Sequence, residues 1–191
     1  MSEPDYTTMR QTNLLRTVLS AAVLHLSLSA VVAQIPDSLL RPHIVHELDP
    51  SGLHHYRDDR IPTFPDTTVC FLYVGQKQNG PLWIRLQVRY AAYKALGISQ
   101  VKFSKGDKAL ELTPSPDLLH YGTNGMMQWE WYDTPPSENE VKVILAIIAE
   151  PGVKLTLKGK DQVVERELSE IERLAMGNVV EQARLLGRVA R

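Results

Sequence analysis

The sequence predicts an α+β domain: an antiparallel β-sheet or β-sandwich of about six strands, with two helices in the C-terminal half. Three observations carry that expectation. Leu82, Ile84, Leu86, Val88 and Tyr90 alternate with Trp83, Arg85, Gln87 and Arg89, the period of two that lines one sheet face with apolar side chains. Apolar residues recur at helical spacing only late in the chain, at Val141, Ile144, Leu145 and Ile148, and again at Ile171, Leu174, Ala175, Val179, Ala183 and Leu186. The strand–helix–strand alternation of a doubly wound parallel sheet is missing.

Taken in order, the globular region begins at Thr67. Thr68 to Gly75 is β-branched and aromatic, and Gln76 to Pro81, with Asn79-Gly80, is a turn that makes a hairpin with the Leu82 to Tyr90 strand. Ile98 to Ser104 and Lys108 to Thr113 flank Lys105-Gly106-Asp107, a second hairpin signal that Pro114 and Pro116 close. Met126 to Tyr132 reads as a strand with Met127, Trp129 and Trp131 on one face. Ser137 and Glu140 have capping-box spacing and open a mostly buried helix that Pro151-Gly152 ends. Val153 to Lys158 alternates as a strand, Lys160 to Arg166 is placed to pair with it, and Ser169-x-x-Glu172 starts the last helix.

The run Trp129-Glu130-Trp131-Tyr132-Asp133-Thr134-Pro135, the helix after it, the strand ending in Gly159-Lys160 and the helix opening at Leu168-Ser169-x-x-Glu172 together resemble a domain of uncharacterised secreted or surface proteins of bacteria. The resemblance covers Val69 to Leu186. It implies a β-sandwich-type domain with its C-terminal helix on a sheet, and it implies no activity and no catalytic role for Glu130 or Asp133.

The chain's 191 residues suffice for one domain, and 43% hydrophobic against 23% charged is a globular balance. Thr17 to Ala33 is an apolar run behind Arg10 and Arg16, ending in Val31-Val32-Ala33; small side chains at Val31 and Ala33 suit leader cleavage after Ala33. A membrane anchor shares the same apolar physics, but three serines and His25 weaken the run and Pro36 closes it, which favours a signal peptide over residues 1–33. Met9 is an alternative start. Residues 34–66 read as an extended lead-in with one short strand around His43 to Leu48, and 67–191 as the globular domain. No second apolar run is long enough to span a bilayer, so the expected product is secreted or periplasmic, with no stable membrane span after processing.

Chemistry is sparse in this sequence. Lys and Arg number 21 against 22 Asp and Glu, a formal charge of −1 that provides no surplus for phosphate backbones, so nucleic acid is not an expected partner. Cys70 is the single cysteine and lies in the apolar run VCFLYV, where desolvation disfavours a thiolate. His43, His46, Glu47, Asp49, His54, His55, Asp58 and Asp59 form the densest polar group, but their spacing lacks a metal-ligand pattern, and neither a metal nor another cofactor is expected. Glu130 and Asp133 are a weak carboxylate pair for glycoside hydrolysis. No G-x-S-x-G elbow and no phosphate-cradling glycine loop occurs.

Tyr121, Trp129, Trp131 and Tyr132 are the candidate ligand contacts, because apolar sugar faces stack on aromatic rings; Tyr90 and Tyr93 are further aromatics of that region. The competing expectation places Trp129 and Trp131 in the core beneath the last helix. The sequence thus points to a non-catalytic accessory or binding domain whose partner is an envelope protein or glycan. An extracytoplasmic hydrolase with an unrecognised carboxylate or histidine site is the alternative.

Overall fold

A computed structural model describes residues 37–189 apart from Asn79. The expected leader, 1–33, lies outside the described residues. No described helix is long and apolar enough to cross a membrane.

Among the described residues ten strands form two antiparallel sheets, accompanied by two α-helices. The first sheet contains β1 (Ile44–Leu48), β2 (Leu53–Asp58), β3 (Val69–Lys77), β4 (Leu82–Ala92), β7 (Leu119–Thr123) and β8 (Gln128–Thr134), in the order β1-β2-β3-β4-β8-β7. The second runs β10-β9-β5-β6, with β5 (Gln100–Lys105), β6 (Lys108–Leu112), β9 (Lys154–Lys158) and β10 (Val163–Glu167). Helix α1 (Glu138–Ile148) follows β8, and α2 (Glu170–Val189) ends the described chain.

The α+β class holds, with more strands than the pattern announced. The segment read as a lead-in supplies the β1–β2 hairpin, continuous with the main sheet through Tyr56 opposite Val74. The two expected hairpins form, with Leu72 opposite Leu86 and Phe103 opposite Leu110. Ser137 closes its capping box with Glu140, which fixes where α1 begins.

One apolar core joins the layers. Leu72, Val74, Leu86 and Val88 from the larger sheet meet Val101, Phe103, Leu155 and Leu157 from the smaller, with Ile144 and Ile147 of α1 and Met176 and Val179 of α2. The opposite face of the smaller sheet carries Lys102, Glu111, Thr156 and Glu165, the polar alternates that a one-sided sheet requires. On α2 the buried stripe runs through Ala175, Met176, Val179 and Leu186, whereas Ile171 and Leu174 are exposed. The stripe is rotated from the expected one because Glu172 and Gln182 take buried positions.

Two buried carboxylates hold this arrangement. Glu130, on the core side of β8, accepts hydrogen bonds of 2.5–3.0 Å from the backbone N–H groups of Leu96, Gly97 and Ile98, the crossover from the larger sheet to the smaller. Gly159 is required beside that crossover, since a Cβ there would collide with the Leu96 carbonyl. Glu172 closes a capping box with Ser169, pairs with both terminal nitrogens of Arg166 and accepts the Cys70 N–H at 2.8 Å.

Cys70 itself is fully buried. Burial raises its thiol well above the ordinary range, and the nearby Glu172 carboxylate pushes it further up. A maleimide reagent is therefore expected to label Cys70 only after denaturation; rapid modification of the native protein near neutral pH would contradict this placement.

Candidate ligand-binding surface

Cross-strand partners share a sheet face, so the registers decide which aromatic residues can act together. Tyr132 pairs with Val88 and Leu119, and its side chain enters the core at 5% exposure. Trp129 and Trp131 alternate with it and occupy the opposite, outer face, where both are half-buried. This corrects the expectation that the two indoles pack beneath α2. The register of β8 with β4 forces the choice: with Tyr132 inward, residues one position away point out.

On the outer face Trp131 stacks on His120, with ring centres 5.2 Å apart and planes 25° from parallel. Trp129 lies across Gly122 of the edge strand so closely that a Cβ at that position would collide with the indole. The pairing covers bare backbone, and Trp83 repeats it over Gly75. Tyr121 belongs by register to the inner side but stands 62% exposed at the free edge. There it lines a hollow of about 310 Å³ with Ala95, Thr123 and Gln128, and the Gly122 and Trp129 positions complete the wall. Of the four candidate contacts, Tyr121 stands exposed at the hollow, Trp129 borders it with its indole on the outer face over Gly122, Trp131 lies one alternate further along β8, and Tyr132 is withdrawn into the core.

The proposed carboxylate pair does not come together. Glu130 points into the core and Asp133 lies on the outer face, as their odd separation on one strand requires. Asp133 is engaged on both oxygens: Arg85 Nε donates to one at 2.6 Å and Tyr73 Oη to the other at 2.9 Å. Burial raises the Tyr73 phenol, and the adjacent Asp133 charge raises it further, so Tyr73 remains a donor at neutral pH. The arrangement is a structural ion pair rather than an acid and a base facing a substrate.

The histidine-rich segment is likewise distributed over both faces of the β1–β2 hairpin. His46 and His54 meet on the core side, Nε2 to Nδ1 at 2.8 Å, with His46 stacked on Tyr56 at 4.7 Å. His43 approaches Asp59 at 3.2 Å outside the strand. Asp49 caps the hairpin turn: hydrogen bonds from the Ser51 hydroxyl and the Leu53 N–H outweigh its small desolvation and draw its carboxyl down to about 2. Among the described residues no group of three or more histidines, cysteines and carboxylates is arranged to hold a metal ion.

Sequence periodicity identified the aromatic residues but missed β7, whose LHYGT run has too little apolar alternation to announce a strand. Its one local signal is Gly122, flanked by large residues, because glycine in a strand marks a close approach by another group. No protein-family model, curated protein or solved structure matches the chain.

Proposed function

We propose that the chain is an exported, non-catalytic binding domain of the secreted or periplasmic space, and that its ligand is an envelope glycan engaged at the β7–β8 edge. The observation that carries this reading is the edge hollow that the exposed Tyr121 lines together with Thr123 and Gln128. The exposed Tyr121 ring offers stacking area for the apolar face of a sugar ring, and the Gln128 amide on the same sheet face supplies the donor and acceptor that fix its orientation. The N-terminal leader pattern supports delivery to the compartment where such a polymer occurs.

Tyr121 provides the cleaner test, because Trp129 also covers Gly122. Tyr121→Ala is expected to unfold within about 0.5 kcal/mol of the parent, as an exposed substitution does, while losing at least several-fold in affinity for isolated peptidoglycan fragments. Affinity is read by titration and stability by urea unfolding. A parent that ignores peptidoglycan and simpler glycans, or a Tyr121→Ala variant that binds like the parent, would sink the reading.

A further inference from the structure

We propose a second binding site, in the cleft between the two helices and the segment entering β1, for a small amphiphilic anion: a carboxylate or phosphate group carried on an apolar body. The cleft has a volume of about 550 Å³ and lies on residues distinct from those of the β7–β8 hollow. Leu145, Ile148 and Ala149 line it from α1, and Leu174 and Gly177 from α2. Leu174 is 50% exposed there, an apolar contact the fold itself leaves open.

The charges of the lining are unequal. Arg41, Arg60 and Arg173 face a single lining carboxylate, Glu181, which is already ion-paired with Arg184. Arg60 is offset by Asp58, held through two bonds of 2.8 and 2.7 Å. Arg41 and Arg173 are held by neutral groups instead. Arg41 Nε donates to Asn178 Oδ1 at 2.7 Å, and Arg173 donates to the Ile148 carbonyl at 2.9 Å, which also covers the carboxyl end of α1. Among the described residues neither guanidinium has a carboxylate partner, so the cleft has two positioned, uncompensated cations bordering apolar surface. An anion with an apolar tail complements both features, and arginine's planar fork suits carboxylate and phosphate alike.

Two backbone features point the same way. Gly177 sits in the interior of a 20-residue helix, where glycine is among the least favourable residues, and beyond its chain neighbours and the helix's own backbone nothing lies within 4 Å of the position its Cβ would take; Gly187 is equally open, but only Gly177 borders the cleft. The fold gains nothing from that bare position; a ligand approaching the helix backbone would. His43, on the rim, holds a left-handed conformation at φ 67°, uncommon for a residue with a side chain, and its ring is steadied by Asp59.

The test is calorimetric titration of the parent with octanoate and octyl phosphate, with octyl glucoside below its micelle threshold as the uncharged body and inorganic phosphate as the bare head. At least one octyl anion is expected to bind at a single site, about tenfold or more tighter than either control, and the preferred head group identifies the source of the anion. Arg41→Gln and Arg173→Gln should each weaken that binding about tenfold, the effect of losing one charge-assisted contact. Gly177→Leu should abolish it while the protein keeps its helical circular dichroism and cooperative melting, and Tyr121→Ala should leave it unchanged. Failure of all four probes to bind, equal binding of octyl glucoside or inorganic phosphate, or parental affinity in the arginine variants would each overturn the proposal.

Discussion

Glu172→Ala is expected to destabilise the fold by about 3–5 kcal/mol, the range for removing one partner of a buried ion pair. The Arg166 guanidinium would remain half-buried without its counter-charge, with Nε already lacking a partner. The Cys70 N–H, at the point where β2 no longer borders β3, and the Ser169 N–H that opens α2 would lose their acceptor as well. Because Glu172 serves these two amides besides Arg166, replacing Arg166 and Glu172 together by leucine should recover only part of the loss. A simple ion pair replaced by apolar residues would recover nearly all of it.

The same carboxylate gives the stability a pH signature. Burial works to raise the Glu172 pKa, but the hydrogen bonds and charge of Arg166, with the Ser169 and Cys70 amides, outweigh it and hold the group below its ordinary 4.5. A group whose pKa is depressed on folding contributes fully above its unfolded value and loses that contribution as pH falls through the folded one. The gap in urea midpoint between parent and Glu172→Ala should therefore be constant near neutrality and shrink on acidification below about 4.5. A gap independent of pH across that range would show that the carboxylate's charge is not the stabilising element.

Which parts of this molecule its sequence discloses follows from where the deciding information resides. Strands β3, β4, β5 and β6 are legible because alternation and turn residues are local properties, and the two capping boxes are legible because a helix start is settled within four residues. Strand β2, with the sequence LHHYRD, and β7, with LHYGT, carry little apolar alternation; their pairing rests on neighbours distant in sequence. The orientation of β8 is the instructive case. Its alternation of Trp129, Glu130, Trp131 and Tyr132 defines two faces but does not say which faces the core, and size alone argues for burying the indoles. The structure buries Glu130 and Tyr132 instead, because Val88 and Leu119 flank Tyr132 and three backbone amides await the carboxylate. The candidate surface was thus legible as a set of residues, whereas the division of Tyr121, Trp129, Trp131 and Tyr132 between edge, outer face and core depended on register.

Glu130→Gln tests that division and is expected to cost about 2–3 kcal/mol, although the change is nearly isosteric. One carboxylate oxygen accepts from both Leu96 and Gly97, and the other from Ile98. A carboxamide has a single acceptor oxygen, so whichever way it lies its NH₂ confronts at least one backbone N–H at a site with 1% exposure. Because the crossover through these amides joins the two sheets, the loss should be local before it is global. Hydrogen exchange at Leu96, Gly97 and Ile98 should accelerate by more than the fall in global stability explains, while exchange in β3 and β4 tracks the urea midpoint. Glu130→Ala, which removes all three acceptor contacts, should exceed the glutamine variant in both measurements. Unchanged urea midpoints with undiminished protection at Ile98 would show that the crossover is held by packing alone, and Glu130 would return to consideration as a chemical group.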